Sequence, residues 1–272
     1  MAQFTHKIAI LGCGNIGSAI ANGLISSKLV DKKDLILSDR NRGHLETLGK
    51  KGFTTAADNH EALEKADVFI IAVTPQQVNA LLDDIKNHLT AKHVLLSVVS
   101  GASISKIKEH IRIDIPVVRI MPNTAIAIRE SMTCICADDK DEEAVGLART
   151  IFGAVGETIV ISESLMGPAT ALCGCGTAFF LRAIRAASQG GIEIGFHAQD
   201  AIAMAAQTAK GAAAILLHQG SHPEGEIDKV TTPQGITISG LNQMEHHGFS
   251  SSMIRGIVGA AEKAEHIYSN DS

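Results

Sequence analysis

The stretch Ile8-Ala9-Ile10-Leu11-Gly12-Cys13-Gly14-Asn15-Ile16-Gly17 decides the fold of this chain. A short apolar run, predicted to be a strand, leads directly into a G-x-G-x-x-G pattern that opens a predicted helix. This context is what the dinucleotide-binding fingerprint requires, whereas a match without it is weak. Gly12 permits the tight turn, Gly14 lets a pyrophosphate approach the backbone, and Gly17 allows the helix to pack closely on the strand.

The rest of the first half repeats this alternation of short apolar runs and amphipathic runs. Predicted strands cover residues 7–11, 35–38, 68–73, 94–98 and 117–120, with predicted helices 16–26, 43–51, 76–88 and 103–111 between them. A strand at 132–136, a helix at 141–152 and a strand at 158–161 complete the pattern. Continuous apolar strands separated by helices indicate a parallel sheet covered on both faces. We therefore predict an α/β Rossmann-type domain, a doubly wound sheet, over residues 1–163.

The second half, residues 164–272, has a different pattern without β-branched strand runs. Long helical stretches are predicted at 169–190, 199–218, 238–247 and 251–269. Small apolar residues occupy nearly every face of the helix 199–218, which predicts burial on all sides. A domain of this size cannot enclose such helices alone, so we predict an all-helical substrate-binding and dimerisation domain in an intertwined homodimer.

The composition argues against several classes of partner. The 272 residues carry a net charge of -5, no Trp and one Tyr, and no run of Lys and Arg stands out, so a nucleic-acid partner is not expected. The N-terminal residues lack an apolar signal core. The most apolar helical stretch, 198–217, is interrupted by polar residues and falls short of the roughly 18 apolar residues of a membrane span. We expect a cytoplasmic protein without a membrane partner.

The five cysteines are odd in number, which argues against a disulfide framework in a cytosolic chain. Four of them form two Cys-x-Cys pairs, which leaves two interpretations: metal ligands, or small residues that allow close packing. The spacing differs from Cys-x2-Cys and no His is close in sequence, so we predict no metal site. The cysteines are Cys13, Cys134, Cys136, Cys173 and Cys175.

The end of the second predicted strand, Ser38-Asp39-Arg40, lies about 20 residues after the fingerprint, where the adenosine ribose is recognised. Asp39 suits the 2′-hydroxyl of NAD, whereas Arg40 and the nearby Arg42 suit the 2′-phosphate of NADP. A solvated charge cluster without a ligand is the alternative. The other predicted cofactor-binding residues are Asn15 and Ile16 at the start of the first helix, Asn59, the residues at the carboxyl end of the third predicted strand, Ala72, Val73, Thr74 and Pro75, and Ser100 and Gly101 after the fourth.

A second motif lies near the C-terminus: Val230-Thr231-Thr232-Pro233-Gln234-Gly235-Ile236-Thr237-Ile238-Ser239-Gly240-Leu241, followed by Glu245 and Gly248-Phe249. It resembles the signature of the pyrroline-5-carboxylate reductases, approximately V-[ST]-[ST]-P-G-G-T-T-x-x-[GA]-L, then E and later G-F. Further matches, such as Met121-Pro122-Asn123-Thr124, follow the family's order over nearly the full length.

The chain departs from the family pattern at several positions. Gln234 stands where Gly is usual, and Ala125 follows Thr124 where Pro is usual. The stretch 174–179 reads G-C-G-T-A-F where the family reads G-S-G-P-A-Y. Gly167 and Thr74 replace a common Asp and a common Lys. These departures bear on the choice of substrate rather than on the fold.

The loop 231–237 has features of an anion-binding site. A turn at Pro233 and Gly235 followed by a helix start presents backbone N–H groups that suit a carboxylate. An N-capping Thr in an ordinary interhelical loop is the alternative. The resemblance implies that Thr232, Gly235, Ile236 and Thr237 bind the substrate and that Thr237 acts in catalysis by hydrogen-bonding the ring nitrogen.

The resemblance also implies an activity, a cofactor and an assembly. The activity is reduction of 1-pyrroline-5-carboxylate to L-proline, the final step of proline biosynthesis, by NADP(H), with NAD(H) accepted. The implied assembly is a homodimer or a higher assembly of dimers. Two alternatives stay open: a reductase of another small cyclic imino acid, and a non-catalytic dinucleotide-binding paralogue whose pocket Gln234 and Thr177 have closed. The complete fingerprint, Thr232 and Thr237 favour the enzyme.

Overall fold

The structure is a computed structural model that describes residues 4–266. The chain divides into two compact units, one comprising residues up to Cys175 and from Gly259, the other Gly176–Val258. The domain boundary predicted after residue 163 stays a prediction, and the division into compact units falls later. Residues 164–175 belong to the first unit because Met166 and Ala169 are buried in its core.

The first unit is built on one eight-stranded sheet in the order β3-β2-β1-β4-β5-β6-β7-β8. All neighbours are parallel except β6 and β7. The order 3-2-1-4-5-6 is that of the Rossmann fold, whose ligands bind where the order reverses, between β1 and β4. The strands are β1 Ile8–Leu11, β2 Leu35–Ser38, β3 Thr54–Thr55, β4 Val68–Ile71, β5 Val94–Ser97, β6 Val117–Met121, β7 Ser131–Cys136 and β8 Gly156–Val160.

Helices cover both faces of this sheet, and a separate apolar core fills each face. All residues of β1 and β4 are fully buried, which explains why those strands are continuously apolar. The helices are α1 Asn15–Ser27, α2 Arg42–Lys50, α3 Asn59–Lys65, α4 Pro75–Ile85, α5 Ile104–Ile111, α6 Glu142–Gly153 and α7 Met166–Ala169, followed by a π-helical segment, Thr170–Cys175. The sequence did not predict β3 and α3, which are too short to show a period.

The second unit is entirely helical. Its helices are α8 Gly176–Glu193, α9 Ala198–Gln219, α10 Pro223–Lys229, α11 Ile236–His246 and the first part of α12 Phe249–His266. The helix predicted over 169–190 is thus divided by the π-helical segment, and α10 was not predicted. Residues 267–269 of the helix predicted over 251–269 lie outside the described residues.

In the single chain only Ala201 of α9 is buried, and the burial predicted for the helix 199–218 stays a prediction that needs a second copy. The physical reason is that one copy of this unit has no other layer to cover α9. Large apolar side chains on three helices are exposed to solvent: Phe180, Leu181 and Ile192 on α8, Ile202, Met204, Ile215 and Leu217 on α9, and Ile254 and Val258 on α12.

One helical stretch, Glu163–Glu193, is long and apolar enough to cross a membrane by length and composition. The sequence did not predict this candidate, since the prediction identifies residues 198–217 as the most apolar helical stretch. Much of its window is exposed in the single chain, and Arg182 and Arg185 interrupt its apolar surface.

Candidate active site

A cleft of about 610 Å³ lies at the carboxyl ends of β1, β2 and β4, where the strand order reverses. Its volume is in the range of small-molecule and cofactor sites. Nine of the predicted cofactor-binding residues line it: Gly12, Gly14, Ser38, Asp39, Arg40, Asn59, Ala72, Val73 and Thr74. Further lining residues that the sequence did not predict include Asn41, Gln77 and Asp84.

The glycine loop has the backbone that the fingerprint requires. Gly12 adopts φ 99°, and a Cβ atom there would lie 2.7 Å from the Ala72 carbonyl oxygen. A Cβ atom at Gly17 would lie 2.0 Å from the Gly12 carbonyl oxygen, so α1 is packed directly on the turn. A Cβ atom at Gly14 would meet no atom within 4 Å, so the space beside Gly14 is open to a ligand.

The start of α1 is free to hold an anion. Gly14 is its N-cap residue and provides no side-chain hydrogen bond. The first N–H groups of a helix have no intrahelical partner, and the helix dipole favours negative charge there. Asn15, Ile16 and Gly17 supply these N–H groups, although they do not line the cleft itself. The arrangement fits the pyrophosphate of a dinucleotide.

Three other predicted cofactor residues also lie outside the lining of the cleft. Pro75 is the first residue of α4, and Ser100 and Gly101 lie in the turn that follows β5. Gly101 adopts φ 83°, a backbone that favours glycine. All three follow strand ends at the ligand edge of the sheet, and their contact with a cofactor stays a prediction.

Asp39 is held by the protein backbone. Its Oδ2 accepts a hydrogen bond from the Cys13 N–H at 2.6 Å, and its Oδ1 accepts one from the Asn41 N–H at 2.8 Å. Asp39 therefore ties the glycine loop to the end of β2. Arg40 is exposed and makes no ion pair within the described residues, so its guanidinium is available to a phosphate. This arrangement favours NADP over NAD.

Three polar contacts at the cleft were not anticipated. The Ser38 hydroxyl donates to Asn59 Oδ1 at 2.8 Å, while Asn59 Nδ2 donates to Asp84 Oδ2 at 3.0 Å. His44 Nε2 lies 2.8 Å from the Cys13 carbonyl oxygen and donates to it. The side chain of Asn59 is thus oriented by Asp84, and α2 braces the glycine loop through His44. No sequence motif predicts any of these contacts.

We predict that Arg40→Ala weakens NADPH binding by about 10- to 100-fold, the cost of losing a hydrogen bond to a charged group. NADH affinity should stay within about two-fold, because NADH lacks the 2′-phosphate that Arg40 would bind. Titration of both cofactors measures the difference. Arg149→Ala removes an exposed arginine on α6 and should affect neither cofactor. Equal losses for NADPH and NADH would show that Arg40 does not bind the phosphate.

The loop 231–237 of the second unit forms a tight turn before α11. The Gly235 N–H donates to the Thr232 carbonyl oxygen at 2.8 Å, and Gln234 adopts φ 60° between them. Positive φ at the third residue is what a type II turn with Pro at its second position requires. Gln234 therefore keeps the backbone conformation that glycine supplies in the family pattern. Gly235 itself has no room for a side chain, because a Cβ atom would lie 2.5 Å from Thr232 Oγ1.

Thr237 is not an N-cap, which corrects the alternative interpretation of this loop. Gly235 is the N-cap of α11, so Ile236 and Thr237 are its first two residues. The Thr237 side chain is exposed, and no side-chain hydrogen bond satisfies the first N–H groups of the helix from the N-cap. A cleft in this unit is lined by Thr232 and Gln234 but not by Gly235, Ile236 or Thr237.

Metal ligation has no support within the described part of the chain, where no three His, Cys, Asp or Glu side chains are grouped to hold an ion. A Rossmann sheet with an open glycine loop, an uncapped helix start and an unpaired arginine defines a nicotinamide-dinucleotide oxidoreductase. The second helix start offers a site for a small anionic substrate.

Comparison with known proteins identifies the family. Residues 163–267 match the family model for pyrroline-5-carboxylate reductase dimerisation, and residues 7–101 match that for NADP oxidoreductase, coenzyme F420-dependent. A relative from Dictyostelium discoideum, pyrroline-5-carboxylate reductase 2, is 49% identical over 95% of this chain and 92% of its own length. The chain therefore belongs to the pyrroline-5-carboxylate reductase family.

Two further similarities support this assignment. Pyrroline-5-carboxylate reductase 1 of the same organism is 51% identical over 98% of this chain, which spans about half (51%) of that relative's length. The crystal structure of Plasmodium falciparum pyrroline carboxylate reductase with NADP bound has a TM-score of 0.86 and 25% identity, and the match covers 98% of this chain and 100% of that one.

Proposed function

We propose that this chain reduces the C=N bond of 1-pyrroline-5-carboxylate to give L-proline, the final step of proline biosynthesis. NADPH is the preferred hydride donor and NADH is accepted. The observation that carries the proposal is a pair of helix starts whose N-cap residues are glycines, Gly14 before α1 and Gly235 before α11. One suits a pyrophosphate and the other a carboxylate, which are the two anions that this reaction brings together.

The cofactor and the residues at the start of α11 have separate roles in the proposed reaction. When bound, the nicotinamide would supply a hydride to the imine carbon of the ring, which becomes C5 of proline, and protonation of the ring nitrogen makes that carbon electrophilic. The N–H groups of Ile236 and Thr237 bind the substrate carboxylate. The Thr237 hydroxyl accepts a hydrogen bond from the protonated ring nitrogen and so fixes the orientation of the ring.

The turn at Gln234 argues against the non-catalytic alternative. A paralogue that had lost its substrate would have no reason to keep a non-glycine residue in a left-handed conformation, which costs of order 1 kcal/mol. Gln234 nevertheless retains φ 60°, and Gly235 retains its tight contact with Thr232. The loop geometry is thus preserved although the residue has changed.

The direct test is NADPH oxidation by the purified protein with 1-pyrroline-5-carboxylate. A six-membered cyclic imino acid and a pyrroline with its carboxylate on a different carbon serve as competing substrates. Turnover with 1-pyrroline-5-carboxylate and formation of proline support the proposal. Higher kcat/KM for another imine would assign a different substrate, and cofactor binding without turnover of any imine would favour the paralogue.

We also propose that the second unit forms an intertwined homodimer. The exposed fractions of Phe180 and Leu181 on α8 are 62% and 60%, and that of Leu217 on α9 is 79%. An apolar groove lies between α8 and the first part of α12, lined by Phe179, Ala183, Ala186 and Met253 among others. So much contiguous apolar surface marks an interface, and a two-fold arrangement is the commonest way to cover it. Dimers of this kind leave room for a higher assembly.

We predict that Phe180→Glu dissociates the assembly and abolishes activity, because a charge would be buried in an apolar interface. Light scattering should show a dimer or a multiple of it for the unmodified chain, even at nanomolar concentration, and a monomer for the variant. Thr150→Glu adds the same charge to exposed α6 in the first unit and should leave the assembly intact. An active monomer at nanomolar concentration would refute the interlocked dimer.

The same interface accounts for the apolar stretch Glu163–Glu193 without a membrane. Burial of the exposed side chains of α8 against a partner chain would remove them from water, as a bilayer would. We therefore propose a protein without a membrane partner, and the cytoplasm stays our predicted location. Recovery of the active protein from cells without detergent is the expected result, and a requirement for detergent would contradict it.

A further inference from the structure

The two Cys-x-Cys pairs of the sequence meet in an unexpected way. Cys134 on β7 and Cys173 in the π-helical segment have their Sγ atoms 3.8 Å apart. Each pair therefore contributes one member to a dithiol that no sequence spacing suggested, since the two residues are 39 positions apart. Neither cysteine takes part in a disulfide in this structure.

The dithiol lies at the ligand edge of the sheet. Cys134 stands opposite Met121, the last residue of β6, whose carboxyl end shares an edge with those of β1 and β4. Asn123, two residues further on, donates from its side chain to the Cys173 carbonyl oxygen at 3.2 Å. A Cβ atom at Gly174 would lie 3.0 Å from the Met121 side chain, so the π-helical segment packs closely on this strand end.

We infer that Cys134 and Cys173 are a reversible oxidation site, at which a peroxide converts the dithiol to an intramolecular disulfide. Sulfur atoms already in contact need only approach from 3.8 Å to about 2.05 Å. β7 is held by strands on both sides, so the π-helical segment makes the movement. The movement also pulls on the hydrogen bond between Asn123 and Cys173 at the ligand edge.

The two thiols have different roles in the oxidation. The Cys173 thiolate attacks one peroxide oxygen and the O–O bond breaks. Cys173 becomes a sulfenic acid, and hydroxide leaves. The hydroxide takes the Cys134 proton to form water. The Cys134 sulfur then attacks the Cys173 sulfur, the S–S bond forms, and the S–O bond breaks to release a second water as the sulfenic oxygen is protonated. Two electrons pass from the thiols to the peroxide, and an added dithiol returns them.

The environment selects this pair over the other cysteines. The hydrogen bond between the two thiols lowers the pKa of Cys173 and raises that of Cys134, which favours Cys173 as the attacking thiolate. Cys173 is partly exposed and Cys134 is buried, which suits an attacking and a resolving thiol respectively. Burial raises the pKa of Cys136 to about 11 and that of Cys13 to about 12, so both stay protonated and unreactive near neutral pH.

The test oxidises the full chain with hydrogen peroxide and maps its peptides without reduction. We expect a loss of two hydrogens per chain, a cross-link between the peptides of Cys134 and Cys173, and full reversal by dithiothreitol. Cys136→Ser and Cys175→Ser, the neighbours within each pair, should still form this cross-link. Cys134→Ser should not form it, and its Cys173 should be trapped as a sulfenic acid by dimedone.

A second measurement, reductase activity, tests whether oxidation of this site affects the ligand edge. Oxidation should lower reductase activity reversibly in the unmodified chain, whereas a Cys134→Ser, Cys173→Ser double variant should keep its activity after peroxide treatment. The cross-link does not depend on the proposed reaction, so the two can fail separately. A Cys173–Cys175 bond, a bond between chains or no cross-link would overturn the assignment of the oxidation site, and an oxidised, cross-linked enzyme with unchanged activity would overturn its link to the ligand edge.

Discussion

Gly14→Val is expected to lower NADPH affinity by about 100-fold or more while leaving the chain folded. A Cβ atom at Gly14 would meet no protein atom within 4 Å, and the φ of Gly14 is -64° rather than positive, so the fold has no need of glycine there. The branched side chain would instead occupy the space of the pyrophosphate. Losing two hydrogen bonds to a charged group costs about 3 kcal/mol or more, which is about 100-fold in affinity.

Fluorescence titration with NADPH, together with thermal unfolding followed by circular dichroism, measures both parts of this prediction. Gly17→Ala is the informative contrast, because its Cβ atom would lie 2.0 Å from the Gly12 carbonyl oxygen. That variant should lower the unfolding temperature, whereas Gly14→Val should not. Wild-type affinity in folded Gly14→Val would refute the assignment of the cleft to a dinucleotide.

The first unit was predictable because its signals are local. The fully buried strands are continuously apolar, the helices between them are amphipathic, and the glycine pattern marks the turn from β1 to α1. The elements that escaped prediction are short: β3 has two residues and α3 has seven, too few for a period to emerge. The π-helical segment Thr170–Cys175 also escaped, because an apolar run does not distinguish it from an α-helix.

The site was predictable in part for the same reason. Residues at or just after the ends of strands, such as Ser38 and Ala72, could be placed at the cleft from strand boundaries alone. Contacts that join distant segments could not: Asp84 orients Asn59, and Cys134 meets Cys173, with no trace in the sequence spacing. The burial predicted for α9 from its composition depends on a second chain, so the fold of a single chain does not test it.

Thr237→Ala is expected to lower kcat/KM for 1-pyrroline-5-carboxylate by roughly 10- to 1,000-fold, the range for losing one well-placed hydrogen-bonding group. Its hydroxyl is exposed and makes no hydrogen bond within the described residues, so its removal should not destabilise the fold. Alanine is also the better helix former at this position. Cofactor affinity should not change, because the cleft for the dinucleotide is built from residues 12–84.

Two matched variants separate catalysis from structure. Thr237→Ser keeps the hydroxyl and should retain most of the activity, whereas Ser239→Ala removes a hydroxyl two residues further along the same exposed helix and should have little effect. Steady-state kinetics with saturating NADPH compares all three. Residues two positions apart on a helix point to nearly opposite sides. Only the hydroxyl that faces the substrate should therefore affect the kinetics. Wild-type kinetics for Thr237→Ala would leave the N–H groups of α11 as the whole of the anion site and remove Thr237 from the reaction.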